Sequence, residues 1–136
     1  ERAARDKEKV PEKEMRERAL TLPKGTFRFS RALRKKEMSF ICEVKKASPS
    51  KGLIDPVFDY KRIAKNYEVA GADCVSCLTE PKWFLGSDVI FGEVRRTIQL
   101  PIIRKDFTAD DYQIYQAKCM GADAVLLICA LMDEKN

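Results

Sequence analysis

Hydrophobic and polar residues follow one another along this chain in a pattern that predicts strands and helices in turn from residue 39 onward. Apolar, strand-like segments occur at 39–45, 73–78, 101–105 and 124–129, and helical apolar patterns occur at 58–70, 88–98 and 110–120. The order β-α-β-α-β-α-β predicts a parallel sheet with helical crossovers. The unbroken apolar run at 124–129 is typical of a strand buried on both faces. Four such strands fit half of a (β/α)8 barrel or a small doubly wound sheet, and the pattern alone does not decide between these folds.

Short local signals mark where the predicted helices begin and end. Asp110 is a suitable N-cap for the last helix, and Gly71 and Gly121 are suitable stops after two of the helices. The junctions Ala70-Gly-Ala-Asp73 and Met120-Gly-Ala-Asp123 repeat one another. The repetition indicates two equivalent helix-to-strand units.

The first part of the chain differs in character from the rest. Charges of both signs alternate at short spacing through residues 1–18, which provides ion pairs four residues apart on a helix, and Pro11 must begin or interrupt such a helix. A second short helix is predicted to start near Ser30, a plausible N-cap. We therefore predict a charged N-terminal helical extension at 1–38, solvated and with little core of its own, before a barrel unit at 39–136.

Composition narrows the class of protein. The 136 residues are 45% hydrophobic and 35% charged, as in a globular domain or part of one, and no apolar run approaches the length of a membrane span. The N-terminus lacks the apolar core of a signal peptide, so a cytoplasmic protein is expected. The net charge of +5 is modest and spread out, and no zinc-finger spacing or other nucleic-acid-binding motif occurs. Solvated charged faces explain this charge, so we expect neither a nucleic-acid nor a membrane partner.

The residue types limit the available chemistry. The chain has no histidine, which excludes histidine-based triads and histidine-ligated metal sites within these residues. General acid–base catalysis must therefore use Lys, Glu, Asp, Tyr or Cys. Its five cysteines are an odd number in apolar surroundings, which argues against a disulfide framework. Cys74 and Cys77 form a C-x-x-C motif, but on a strand they point to opposite faces. We interpret both as buried structural thiols rather than a redox or metal pair.

Two charged side chains share one face of the first strand near its C-terminal end. Glu43 and Lys45 are two residues apart and therefore point the same way. Burying them is costly unless they are paired or functional, and the C-terminal ends of barrel strands are where chemistry occurs. The alternative is a purely structural ion pair. The following loop, 48–52, offers hydroxyls, a cation and backbone N–H groups that suit an anion, although such loops are also common turns.

The ends of the next two strands add a second lysine and several apolar side chains. Lys105 shares its parity with Phe107, and an apolar pocket lowers the pKa of an ammonium so that it can donate a proton near neutral pH. Arg104 has the opposite parity, so it is expected to face the helix layer or solvent. Trp83 and Phe84 lie in the loop after the second strand, where they either close over an aromatic substrate or pack on the rim.

These segments together resemble the indole-3-glycerol phosphate synthase family. The string Glu43-Val-Lys-Lys-Ala-Ser-Pro-Ser-Lys-Gly52 is similar to the signature of that family. Leu78-Thr-Glu80 with Trp83-Phe84 and Gly86-Ser87, Arg104-Lys-Asp-Phe107 with Gln113, and the run 121–128 follow in the family's order and spacing. The resemblance extends over residues 27–132 and is weak in the charged leader.

The resemblance implies a TIM barrel of which this chain holds the first four βα units. The family's enzymes close a pyrrole ring on 1-(2-carboxyphenylamino)-1-deoxyribulose 5-phosphate, a phosphorylated small molecule, with loss of CO2 and water and without cofactor or metal. By similarity, Lys105 is the general acid, Glu43 orients the lysines, Lys45 holds the anionic substrate and serves in dehydration, and Ser48 helps to bind an anion. The implied apolar wall for the substrate ring consists of Leu78, Phe84, Phe107, Leu126 and Ile128.

The length of the chain changes what the resemblance implies. A barrel of this kind needs about 250 residues, and this sequence reaches only just beyond the fourth strand, so we expect little or no activity from it alone. Open apolar strand edges would then favour self-association into a homo-oligomer. Two other hypotheses are a non-catalytic, self-associating half-barrel and a related phosphate-binding barrel such as phosphoribosylanthranilate isomerase, whose signature lacks the Lys-Lys-Ala-Ser-Pro-Ser string.

Overall fold

The structure, a computed structural model, describes residues 2–131 as a parallel sheet covered by helices. The strands are β1 (Ile41–Val44), β2 (Ala47–Ser48), β3 (Gly52–Leu53), β4 (Cys74–Leu78), β5 (Ile102–Lys105) and β6 (Ala124–Val125). The main sheet has the order β1-β4-β5-β6, and every neighbouring pair in it is parallel. Strands that are consecutive in the barrel pattern are neighbours in space, which confirms the predicted α/β fold with helical crossovers and agrees with the first four units of a barrel.

The helices divide into an N-terminal group and the three crossovers. They are α1 (Arg2–Lys9), α2 (Glu12–Thr21), α3 (Arg28–Ala32), α4 (Tyr60–Val69), α5 (Asp88–Thr97) and α6 (Asp111–Cys119). The main core lies between the sheet and the crossovers, and its fully buried members include Val44, Val75 and Ile102 from the strands and Phe91 and Ile98 from α5 and its C-terminal end. Because side chains alternate along a strand, these core residues leave the opposite parity, with Glu43, Ser76 and Lys105, for the other face of the sheet.

The crossover helices begin and end within two residues of the predicted bounds, and Asp110, Gly71 and Gly121 have the predicted places at their ends, whereas the caps Asp59 and Ser87 were not predicted. Asp59, Ser87 and Asp110 each occupy an N-cap and accept a backbone N–H of the first turn with a side-chain oxygen. Gly71 and Gly121 follow the ends of α4 and α6 with φ values of +87° and +81°, a conformation that strains any residue with a Cβ.

The structure corrects two predictions about local structure and adds one feature that was not predicted. The short helix α3 begins at Arg28 with Phe27 at its N-cap, so Ser30 lies inside the helix and does not cap it. The fourth strand is only Ala124–Val125 and is half-buried, because it lies at the end of the described sheet with a neighbour on one side. The loop 48–52 was not predicted to contain strands, yet it is the turn of a small antiparallel hairpin formed by β2 and β3.

The leader is more closely packed than its charge pattern indicates. Met15 and Ala19 of α2 are buried, and α2 packs along α6. Helix α1 is held by polar contacts, among them the hydroxyl of Tyr112 donating to the backbone oxygen of Asp6 at 3.1 Å. The prediction of a solvated leader with little core was therefore wrong for α2. Among the residues described, no helix is long and apolar enough to cross a membrane.

Candidate active site

Three charged side chains meet at the C-terminal ends of β1 and β5. The carboxylate of Glu43 accepts a hydrogen bond from the ammonium of Lys45 at 2.5 Å and another, on its other oxygen, from the ammonium of Lys105 at 3.1 Å. The hydroxyl of Ser76, which lies beside Glu43 in the register of the sheet, donates to the same carboxylate at 3.4 Å. The parallel register therefore places two lysines around one carboxylate, although these lysines are 60 residues apart in the sequence.

The environment of Glu43 keeps its carboxylate ionised. Partial burial favours the neutral acid, but hydrogen bonds and charge from Lys45 and Lys105 outweigh it and lower the pKa of Glu43 below its ordinary value. Glu43 is therefore an anion at neutral pH, and it serves as the shared partner of two cations. A lysine ammonium that donates one N–H to Glu43 has two further N–H groups that can donate to a ligand.

An apolar cavity of about 210 Å³ opens beside Lys105. It is lined by Leu78, Glu80, Phe84, Lys105, Asp106, Phe107, Leu126 and Ile128. The rings of Phe84 and Phe107 lie 6.3 Å apart and tilted by 54°. The cavity thus gathers all five side chains of the wall implied by the family resemblance, and it places an ammonium at their edge. Apolar walls with a small number of polar or charged groups are typical of a ligand site.

Ser48 lies outside this cluster, in the hairpin of β2 and β3. Its hydroxyl is within 3.5 Å of the hydroxyl of Ser50 and accepts the backbone N–H of Lys51 at 3.3 Å. These bonds organise the turn itself, and anion binding by Ser48 stays a prediction.

The two aromatic residues of the loop after β4 have different surroundings. Phe84 is half-buried and lines the cavity, whereas 53% of Trp83 is exposed and the ammonium of Lys82 lies 4.8 Å from its ring. The loop is organised by Glu80, whose carboxylate accepts three backbone N–H groups. This role of Glu80 was not predicted from the sequence, where the only signal is its place within the motif Leu78-Thr-Glu80.

A second polar cluster lies on the helix side of the β5 end. Arg104 is fully buried, as its parity allowed, and its guanidinium is close to Asp88 (3.2 Å) and Asp106 (3.5 Å). Burial lowers the pKa of Arg104, and the charges of the two aspartates oppose that shift. Arg2 of α1 completes the cluster with bonds to Asp88 at 2.6 Å and Asp106 at 2.5 Å. Nothing in the sequence predicted this contact, because it joins residues far apart in the chain.

The C-x-x-C pair is part of the core. Cys74 and Cys77 are buried, and neither forms a disulfide. Burial raises the pKa of Cys77 to about 12 and that of Cys74 to about 11, so neither is a reactive thiolate at neutral pH. The interpretation of buried structural thiols is confirmed. Within residues 2–131, no group of three or more Cys, Asp or Glu side chains is arranged to hold a metal ion.

Comparison with known proteins identifies a family for this arrangement. A family model described as indole-3-glycerol phosphate synthase matches residues 1–136. The indole-3-glycerol phosphate synthase of Ruminiclostridium cellulolyticum is 58% identical over 110 residues, which are 81% of this chain and 42% of that protein. The one from Endomicrobium trichonymphae is 53% identical over 117 residues, 86% of this chain and 45% of its own length. The chain therefore spans less than half the length of these relatives.

Similarity to solved structures is weaker. The carboxyl transferase domain of Rhizobium etli pyruvate carboxylase is similar over 60% of this chain and 15% of its own, with a TM-score of 0.39 and 22% identity. At that TM-score the likeness carries no argument about function.

Proposed function

We propose that this chain, which belongs to the indole-3-glycerol phosphate synthase family, supplies the lysine–glutamate cluster and the aryl-binding wall of an enzyme acting on 1-(2-carboxyphenylamino)-1-deoxyribulose 5-phosphate. The product is indole-3-glycerol phosphate, and CO2 and water are released. The enzyme is a carbon–carbon lyase of tryptophan biosynthesis and needs no cofactor. The observation that carries the proposal is that the ammonium of Lys105 lies at the edge of an apolar cavity while Glu43 holds it.

Lys105 suits the role of general acid in the ring closure. In this step the ring carbon that bears the carboxylate attacks the ketone carbon of the sugar chain, and negative charge develops on the ketone oxygen. An ammonium beside an apolar cavity can protonate that oxygen as the new carbon–carbon bond forms. Loss of CO2 from the attacking ring carbon then restores the aromatic ring. The hydroxyl leaves as water together with a proton from the adjacent carbon of the chain, and the double bond formed between these two carbons completes the pyrrole.

Glu43 and Lys45 support this chemistry from the end of β1. Glu43 is bonded to both lysines, so it fixes the direction in which Lys105 presents its proton. Lys45 provides a second positive charge for the substrate carboxylate or for the hydroxyl that leaves in the dehydration. Ser48 is assigned to anion binding on the family resemblance.

The apolar side chains recognise the aryl ring of the substrate. The ring enters the cavity and packs against the pair formed by Phe84 and Phe107, with Leu78, Leu126 and Ile128 forming the remaining wall. The cavity has the scale of a single aromatic ring, and the sugar phosphate must extend from it toward other parts of the enzyme. We further propose that residues 1–38 are the N-terminal extension of the barrel and residues 39–136 its first half, and that the enzyme is cytoplasmic.

Turnover tests this proposal directly. The chain is assayed for indole fluorescence with the carboxyphenylamino substrate, first alone and then with the C-terminal half of the Ruminiclostridium cellulolyticum relative added in trans. We expect turnover in the complemented mixture and at least about a hundredfold loss in Lys105→Ala, because general acid catalysis contributes about 10²–10⁴-fold.

Two control variants sharpen the result. Lys105→Arg keeps the positive charge but cannot release a proton near neutral pH, so it should be as defective as Lys105→Ala. Lys61→Ala removes an exposed lysine on α4 that pairs with Glu93 and should leave turnover unchanged. A complemented mixture in which Lys105→Ala turns over at the wild-type rate would show that the role assigned to Lys105 is wrong.

A further inference from the structure

The loop that carries Phe84 is wrapped around one enclosed carboxylate. Glu80 is 9% exposed, and its two oxygens accept backbone N–H groups from Lys82 at 2.9 Å, Trp83 at 2.6 Å and Phe84 at 3.1 Å. Within the described part of the chain, no cationic side chain forms an ion pair with it. The carboxylate therefore binds only the backbone of its own loop. Hydrogen bonds to a charged carboxylate are stronger than those between neutral groups, so these three bonds fix the loop firmly.

The far end of the loop is fixed as well. The N–H of Gly86 donates to the backbone oxygen of Glu80 at 2.8 Å, which closes the loop on the residue that organises it. A Cβ at Gly86 would lie 2.4 Å from the backbone oxygen of Leu78, so only glycine allows this approach. Leu85 has a φ of +52°, a left-handed conformation that a branched aliphatic residue adopts only when its surroundings impose it. Phe84 thus lies between two constrained points.

These constraints act on the cavity because both Glu80 and Phe84 line it. The rings of Phe84 and Phe107 are in contact, 6.3 Å apart between centroids, and together they form one side of the cavity. The position of the Phe84 backbone therefore decides the shape of the apolar surface against which a substrate ring packs. A looser loop would let the Phe84 ring move. The protein would then bind the substrate ring more weakly, while the position of Lys105 would not change. From this geometry, and resting on the function proposed above, we infer that Glu80 is a positioning residue that sets the preference of the enzyme for an aryl group.

An isosteric substitution isolates this role. Glu80→Gln keeps the shape of the side chain, but both carboxylate oxygens receive N–H groups, so either orientation of the amide points its NH2 at a backbone N–H. In the form of the enzyme that turns over, we expect KM for the substrate to rise about tenfold with kcat within about twofold, because the lost contact is apolar ring binding. The inhibition constant of 1-deoxyribulose 5-phosphate, which lacks the aryl group, should stay unchanged.

The double variant tests whether Glu80 acts through Phe84. Phe84→Leu should raise KM as Glu80→Gln does, and the double variant should be no worse than the more affected single variant, because both changes disturb the same contact. Glu68→Gln is the matched control: Glu68 also accepts a backbone N–H, from Gln99 at 2.6 Å, and it should leave KM unchanged. Additive effects, or a parallel weakening of 1-deoxyribulose 5-phosphate, would overturn the inference. If Glu80→Gln does not fold, an unchanged KM in Phe84→Leu overturns it equally.

Trp83 gives a readout that does not depend on turnover. It is the only tryptophan of the chain and lies within the loop, so its fluorescence anisotropy decay reports the local motion of the loop. We expect faster local rotation in Glu80→Gln than in the wild type and in Glu68→Gln. An identical decay would overturn the inference even when the wild type turns over. Absence of wild-type turnover together with faster rotation in Glu80→Gln would instead overturn the proposed function and leave the role of Glu80 in holding the loop.

Discussion

At the scale of single residues, the site depends on one carboxylate shared by two ammonium groups. Lys45 and Lys105 would repel one another without Glu43 between them, and Glu43 would be costly to half-bury without them. The arrangement holds an ammonium group at a defined place without using histidine, which these 136 residues do not contain. It also makes the stability of the protein depend on the ionisation of Glu43.

The pH dependence of unfolding tests this dependence. Glu43 has a lowered pKa in the folded protein, so its contribution to stability is present above the ordinary carboxyl pKa of 4.5 and is lost as the pH falls through the folded value. We expect Glu43→Gln to be less stable than the wild type in urea at pH 7, and the difference to shrink as the pH is lowered from 5 to about 3. Glu17→Gln, on the exposed face of α2, is the control and should follow the wild type throughout. A difference that stays constant with pH would contradict the ion-pair account.

At the scale of elements, the two Gly-Ala-Asp junctions perform the same task. Asp73, just before β4, accepts the backbone N–H of Phe40 at 2.8 Å and the ammonium of Lys35 at 2.7 Å. Asp123, just before β6, accepts the backbone N–H of Ile102 at 3.0 Å and the guanidinium of Arg95 at 3.1 Å. Each aspartate therefore ties the start of its strand to the start of the preceding strand in the sheet. This end of a barrel is where stability rather than chemistry is expected.

Removing one junction should affect stability alone. Asp123→Ala takes away the acceptor of the Ile102 N–H and of Arg95, and leaving such groups unsatisfied costs about 1–3 kcal/mol of unfolding free energy. We expect a lower midpoint of urea denaturation with the Lys105-dependent turnover of the complemented mixture unchanged below that midpoint. Glu17→Ala, an exposed residue, should shift the unfolding free energy by less than about 0.5 kcal/mol. An equal shift in both variants would show that the junction does not stabilise the sheet.

The elements also show what the sequence could and could not predict. Asp59, Ser87 and Asp110 cap helices through bonds to residues two or three positions away, so local pattern was sufficient for those helices. The face shared by Glu43 and Lys45 followed from the two-residue period of a strand. The extent of β6 did not follow, because strand length depends on which neighbours pair with it. Arg2 was missed because its partners lie far along the chain. Glu80 was missed although its partners are only two to four residues away, because they are the backbone groups of an irregular loop that no helical or strand period marks.

At the scale of the whole molecule, the leader and the sheet depend on each other. Arg2 donates to the backbone oxygen of Thr79 at 3.0 Å as well as to Asp88 and Asp106, so α1 is attached directly behind the strand end that carries Lys105.

The two outer edges of the main sheet, in contrast, are uncovered in the described part of the chain. Among residues 2–131, no strand pairs with the outer side of β1 or of β6. Apolar side chains are exposed at both places: Phe40 just before β1 is 56% exposed and Ile41 at its start 48%, while Leu127 and Leu131 after β6 are 48% and 45% exposed.

Open strand edges with exposed apolar side chains predict association. We expect the chain alone to sediment as a species larger than its monomer mass of 15.6 kDa at micromolar concentration. Adding the C-terminal half of a relative should convert it into a one-to-one complex, because the remaining strands of a barrel cover the same two edges.

Combining Ile41→Lys with Leu127→Lys places a charge at each edge and should return the chain alone to a monomer. Val69→Lys changes a residue on α4 that is 80% exposed and should leave the association as it was. A wild-type chain that is monomeric under these conditions would show that the two edges do not drive self-association, and self-association that survives the paired lysine substitutions would place the contact elsewhere.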